Sequence, residues 1–167
     1  MFNRYFHRHV VPLCFILISL ATFSVVWAGE YWQQEVYYSL DVELDTEEQT
    51  IHGDEVLHYY NNSPDTLNRV YFHLYQNAYT EGSYLDMEYR KRGSRRIQRL
   101  TPETEAGTKV HSLTDQSGDT LTYLIDNTIM RVDLPEPLLP GDSTEFRMEF
   151  TTRFGGINRR VKREKNT

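Results

Sequence analysis

The chain has 167 residues, with 18 Lys plus Arg against 24 Asp plus Glu, a net charge of −6, and 39% hydrophobic residues. That balance excludes wholesale disorder, a collagen-like repeat and a coiled-coil fibre, and the length suits one domain or slightly more. Cys14 is the one cysteine, so no internal disulfide framework exists, and the 12 tyrosines favour strands over helical bundles.

Residues 1–28 are set apart from the fold. Arg4 and Arg8 lie in a basic lead, residues 10–28 carry no charge, and Val26-Trp27-Ala28 places short residues, Val26 and Ala28, at the −3 and −1 positions of a cleavage site. The pattern is that of a signal peptide. The rival reading is an uncleaved membrane anchor, because about 20 apolar residues can span a bilayer. Either way the remainder is exported, to the periplasm, cell envelope or exterior. Cleavage removes Cys14 and two arginines, leaving a mature charge of −8.

The body reads as antiparallel sheet. Residues 35–45 alternate strictly: Val36, Tyr38, Leu40, Val42 and Leu44 share one face, expected to be the core face, and Glu35, Asp41, Glu43 and Asp45 the other. A polar loop, 46–50, leads to a second strand, 51–60, in which Gly53 is the expected bulge. Asn61-Asn62-Ser63-Pro64-Asp65 is turn chemistry. A third strand, 69–75, turns Val70, Phe72 and Leu74 inward. Residues 82–92 break the alternation and predict a short helix or irregular excursion, then a long loop to about 108. Strands follow at 109–113, 120–126 and 129–134. Residues 135–142 form a turn segment in which Pro140-Gly141 fits the centre of a type II turn. The last strand, 143–151, turns Phe146, Met148 and Phe150 inward. About seven strands with little helix make an all-β sandwich or saddle-like twisted sheet.

Charge is uneven. Residues 29–89 hold 13 acids and one base, Arg69, whereas 90–99 hold six bases and 157–167 five bases and one acid. In an acidic, exported chain without a nucleic-acid motif, these runs read as solvated loops, and nucleic acid is not an expected partner. The basic tail 157–167 reads as the start of an interrupted linker or loop.

Catalytic chemistry is thin. His7 and His9 fall in the leader, and His52, His58, His73 and His111 on strands, with no HExxH and no helical His pairing. No GxSxG or phosphate-cradling loop occurs, and the mature chain lacks a cysteine nucleophile. Glu47-Glu48 and Asp54-Glu55 would act as a glycosidase pair only across a cleft. Asn61-Asn62-Ser63 is a formal glycosylation acceptor that reads as an exposed turn. Tyr31, Trp32, Tyr37, Tyr71, Tyr75, Tyr79 and Tyr84 fit either a carbohydrate platform or a rim of interface aromatics. No residue qualifies as catalytic, cofactor-binding or metal-ligating.

The order YWQQEVYYSLDVELD, IHGDEVLHYYNNSPDTLNRVYFHLYQNAY, MRVDL, LLPGD and EFRMEFTTRF resembles the N-terminal β-domain of aminopeptidase N-type zinc metallopeptidases, the gluzincin aminopeptidases, over residues 31–158. YFHLYQNAY and NNSPDTL are the most specific segments. The resemblance implies a β-domain over 29–156 that precedes a largely helical catalytic domain. There HExxH and a downstream Glu hold zinc, GxMEN grips the substrate's amino end, and a Tyr stabilises the transition state. None of those motifs occurs in this chain, and no functional residue transfers. What the resemblance implies is a scaffold that walls the cleft of a catalytic domain lying beyond these residues. Zinc then belongs to that missing domain, and peptide substrates are met only through it. A membrane is a partner only if the leader stays attached. The alternative is a standalone exported β-sandwich that binds carbohydrate or protein without catalysis.

Overall fold

A computed structural model describes residues 31–100 and 106–154. The leader, its cleavage site and the basic tail lie outside the described residues. The fold is that of the unit that begins at Trp32.

The described residues form seven strands in two antiparallel sheets: β1 (Glu35–Asp45), β2 (Thr50–Tyr60), β3 (Leu67–His73), β4 (Gly107–Asp115), β5 (Tyr123–Asp126), β6 (Ile129–Leu138) and β7 (Ser143–Arg153). The larger sheet has the order β1-β2-β7-β4 and the smaller β3-β6-β5. The expected all-β class and strand count hold. Between β3 and β4 lie a 3-10 turn, Tyr75–Tyr79, and one helix, α1 (Tyr84–Lys91). The Ser83 hydroxyl caps α1 by accepting the Asp86 N–H at 3.1 Å.

The excursion at 82–92 is therefore helical, and an ion pair between a buried aspartate and a half-exposed arginine ties it down. Asp86 is fully buried and its Oδ2 lies 2.6 Å from Arg90 Nη2, one helical turn on. The Arg90 hydrogen bond outweighs burial and holds the Asp86 carboxyl below its usual range.

The core lies between the sheets. Leu57, Val70, Leu74, Val110, Leu113, Leu121, Met130, Val132, Phe146 and Met148 are buried together, with Phe72 and Phe150 packed against them. The inward residues expected of the third and last strands are thus in place. Each alternates with an exposed partner because side chains on a strand switch faces at every residue.

Three expectations are corrected. The first concerns β1. Its apolar residues do lie on the core side, because register sets Tyr38 beside Leu57 and Leu57 beside Phe146. They are nevertheless open: Val36 is 38% exposed, Leu40 52%, Val42 54%, Tyr38 58% and Leu44 59%. The second sheet has three strands to the first sheet's four, and no β1 residue joins the core. Alternation identifies a shared face but does not say whether anything covers it.

Second, Gly53 is not a bulge. β2 keeps continuous register with both neighbours through Gly53. A Cβ there would meet the Phe150 ring at 2.5 Å, so glycine makes room for the ring in the cross-strand position. The irregularities fall instead at Leu67/Arg69 in β3 and Val110/Ser112 in β4.

Third, β6 runs through Pro135 and Pro137 to Leu138, where a turn was expected. β5 stops opposite Val132, so these prolines lie beyond the reach of its ladder, where a missing N–H is tolerated. The turn itself is Leu139–Asp142, closed by Asp142 N–H to Leu139 O at 3.1 Å, with Gly141 at φ 83°. That is the type II geometry expected for Pro140-Gly141.

The first correction changes what a charge at Val42 should do. Val42→Asp is expected to cost about 1 kcal/mol, the span of strand propensity on an open surface, and Glu43→Lys no more. Denaturant melts measure both. A Val42→Asp loss several times larger would mean that the β1 face is covered in the isolated chain.

Candidate functional site

The two faces of the larger sheet carry different chemistry. On its outer face, β2, β7 and β4 bring together residues that are far apart in sequence. His52 on β2 is registered against Thr151 on β7. The Thr151 hydroxyl lies 3.1 Å from His52 Nδ1 and 2.7 Å from His111 Nε2. Sequence spacing gave no sign of this arrangement, because the partners are 99 and 40 residues apart and meet only through strand order.

A hydroxyl between two imidazoles has the outline of a nucleophile and base. The rest of such a site is missing. Among the described residues, His52 Nε2 meets only the Thr50 hydroxyl, at 3.4 Å, and no carboxylate orients either ring. His52, His111 and Thr151 share an exposed polar surface, where a nucleophile gains nothing from desolvation.

The other histidines are engaged separately. His58 Nδ1 lies 3.3 Å from Glu145. His73 stacks on Tyr75, with ring centroids 5.1 Å apart and planes at 9°. Among the described residues, no three His, Cys, Asp or Glu side chains converge to hold a metal ion. Two imidazoles bridged by threonine fall short of the three protein ligands and open position of a catalytic zinc, so the residues present do not fit one.

The paired carboxylates are also accounted for. Glu47 and Glu48 N–H groups both donate to Asp45 Oδ1 at 2.8 Å, and the Glu48 carboxylate pairs with Arg153 at 3.3 Å. Asp54 and Glu55 are neighbours in β2 and so face opposite ways, which rules them out as a pair flanking one bond.

The aromatics do not form one platform. Tyr37, 57% exposed, meets Tyr60 edge-on on the outer face of the larger sheet. Tyr71 lies on β3 in the smaller sheet, Tyr75 and Tyr79 in the 3-10 turn, and Tyr84 at the start of α1.

Asn61 departs from its expected role as an exposed acceptor. It is fully buried, and its Nδ2 donates to Asp65 O at 2.8 Å and Leu138 O at 3.1 Å. Both amide hydrogens are therefore used inside the fold.

A cavity of about 640 Å³ opens beside β4, lined by Lys109, His111, Thr151, Arg153 and Glu81 among others. The Thr151–His111 contact therefore sits in its wall.

No family model matches the chain, and no curated protein matches it. Solved structures do. Among them are M1 zinc metallopeptidases. An M1 zinc metallopeptidase from Deinococcus radiodurans is similar at a TM-score of 0.47 and 17% identity, over 72% of this chain and 20% of that one. A two-domain M1 zinc metallopeptidase mutant bound to L-tryptophan gives 0.47 and 17%, over 74% and 21%. The chain spans about a fifth of the length of these structures. Among the described residues, no helix is long and apolar enough to cross a membrane.

The inner face of the larger sheet holds one unusual charge. Glu55 lies between Leu40 on β1 and Met148 on β7, and it makes no ion pair or hydrogen bond among the described residues. Desolvation there raises its pKa, and desolvation followed by the Glu55 charge raises that of Tyr38.

A carboxyl whose folded-state pKa lies above its unfolded value stabilises the fold at acidic pH. That contribution is lost as pH rises through the folded value. Glu55→Gln is therefore expected to melt higher than the native chain at pH 7, with the gap closing on acidification below the native Glu55 pKa. Thermal melts across pH 4–8 measure it, and a variant that melts lower at pH 7 would contradict the desolvated placement.

Proposed function

We propose that this chain is the N-terminal scaffold domain of an exported zinc aminopeptidase-like protein. It packs against a catalytic domain that these 167 residues do not contain and walls one side of its cleft. One observation carries the reading: the family-like segments fall in order on the framework of the two sheets. YYSLDVELD lies in β1, DEVLHYY in β2, RVYFH in β3, MRVDL in β6 and EFRMEFTTR in β7, with NNSPDTL and LLPGD at the joining turns. They build a support, and the described histidines and carboxylates assemble no catalytic centre around it.

In the complete protein, zinc would polarise the peptide carbonyl and activate water with a glutamate as base. Those groups would come from the missing domain. This chain would supply shape and exclusion of solvent along one wall of the cleft.

The test has two parts. The reading frame past codon 167 is expected to encode a helical segment with HExxH, in frame or after one frameshift. Residues 29–167 alone are expected to release no amino acid from aminoacyl anilides, with or without zinc. Turnover that co-purifies with 29–167 and disappears in His52→Ala would overturn the scaffold reading. A stop followed by an unrelated gene would favour the standalone binding module instead. N-terminal sequencing of exported material, expected to begin at Gly29, decides between cleaved leader and anchor.

A further inference from the structure

Two unfinished features of the fold lie on the same side. The first is the bare inner face of β1, whose apolar residues continue the core face of β2 and β7. Eleven strand residues reach about 35 Å, and an open apolar strip of that length on a sheet otherwise covered by a second layer marks an interaction surface.

The second is the free edge of β3. In the smaller sheet, β3 pairs with β6 alone among the described residues. At the opposite end, β5 and its lead-in are tied to β4. Leu121 N–H donates to Leu113 O at 3.0 Å, and Thr114 bridges Thr120. With that end anchored over β4, the order β3-β6-β5 leaves β3 at the end toward β1. A strand added to the β3 edge would take the next place in the second layer, over the bare face. Natural sheets rarely leave such an edge and such a face open together.

The chemistry of the face selects its occupant. Among the described residues Glu55 stands unpaired, with Leu40, Tyr38 and Met148 on adjoining positions. A second copy placed face to face would bring another Glu55 into the same apolar interface, and like charges there are costly. A segment with a cationic side chain would remove the isolation of Glu55 while burying the strip.

We infer that the inner face of β1 and the edge of β3 seat one further amphipathic β-segment, with apolar residues toward β1 and a lysine or arginine opposite Glu55. The segment belongs to the longer polypeptide of the proposed function and completes the second layer, so this inference rests on that polypeptide existing but not on its activity.

The experiment compares residues 29–167 with the polypeptide extended through the downstream reading frame, by hydroxyl-radical footprinting. Tyr38, Leu40 and Leu44 report the inner face, and Tyr37, on the outer face, is the internal control. The extended protein is expected to lower reactivity at the three reporters at least five-fold and leave Tyr37 unchanged. Glu55→Lys in the extended protein should restore most of that reactivity, whereas Glu55→Gln should restore much less. This arm remains decisive if 29–167 alone does not fold.

Equal reactivity in short and extended forms overturns the inference, as does a reading frame that ends at 167. Concentration-dependent dimerisation of 29–167 that protects the same residues overturns it in favour of a second copy. Aminopeptidase turnover of the extended protein is read separately. Protection without turnover keeps the seat and removes the catalytic reading, and turnover with an unprotected strip does the reverse.

Discussion

Asn61→Asp is expected to destabilise the fold by about 3–5 kcal/mol at neutral pH, in the range for burying a charge without a partner. The reason is the density of bonds that converge on this side chain. Its Nδ2 donates to the carbonyls of Asp65 and Leu138. Its Oδ1 accepts from Gln34 Nε2 at 3.1 Å, Ser63 N–H at 3.2 Å and the Ser63 hydroxyl at 2.6 Å. Its backbone N–H donates to Asp142 O at 2.9 Å, and its carbonyl accepts from Gly141 N–H at 2.8 Å. The side-chain amide thus joins the 61–65 turn to the end of β6, and the backbone of the same residue joins the end of β2 to the 139–142 turn.

Aspartate keeps the shape but replaces the two donors with an acceptor that faces two carbonyls. Asn61→Ala leaves the same carbonyls unpaired without adding a charge, at about 1–3 kcal/mol. The order expected at pH 7 is native, then alanine, then aspartate. The buried carboxyl introduced by Asn61→Asp would carry a raised pKa, so its penalty should shrink as pH falls and the protonated form regains one donor. Urea melts at pH 7 and pH 4.5 measure both the order and the narrowing. Aspartate as stable as native would show that the amide donors carry no weight.

This residue also shows what sequence reading can and cannot reach. Asn61-Asn62-Ser63-Pro64-Asp65 was legible as a turn because its composition satisfies its own backbone. That the first Asn is buried was not legible, since burial comes from Leu138, 77 positions away. The same limit explains β1. Its alternation correctly predicts a strand and a shared apolar face, but whether a second layer reaches that face depends on strand order. Gly53 is a third instance. A glycine in a strand signals either a bulge or a close approach, and only the register with Phe150 decides which. His52, Thr151 and His111 follow the same rule, because their meeting needs β2, β7 and β4 side by side. Local chemistry was readable where the deciding partner lay within a few residues, as at Pro140-Gly141.

Phe146→Ala is expected to cost about 3–5 kcal/mol, the range for removing a large buried aromatic. Phe146 is 2% exposed on β7 and is registered beside Leu57 on β2 and Asp115 on β4. Its ring meets Phe72 of β3 edge-on, with centroids 5.5 Å apart and planes at 88°. The contact therefore joins the two sheets, and alanine would open a void between layers that have few ways to collapse. Part of the loss should be shared: in a double-mutant cycle, Phe72→Leu and Phe146→Leu are expected to couple by about 0.5–1.5 kcal/mol, the worth of an aromatic pair beyond its buried area. Phe150→Ala is the contrast. Phe150 is half-buried at the margin of the core and faces Gly53, so its removal should cost less than that of Phe146. Denaturant midpoints of the two alanine variants and the leucine cycle measure the ranking. Strict additivity of the leucine pair would mean that the sheets are held together elsewhere in the core, and a larger loss at Phe150 would move the centre of packing toward the open side beside β1.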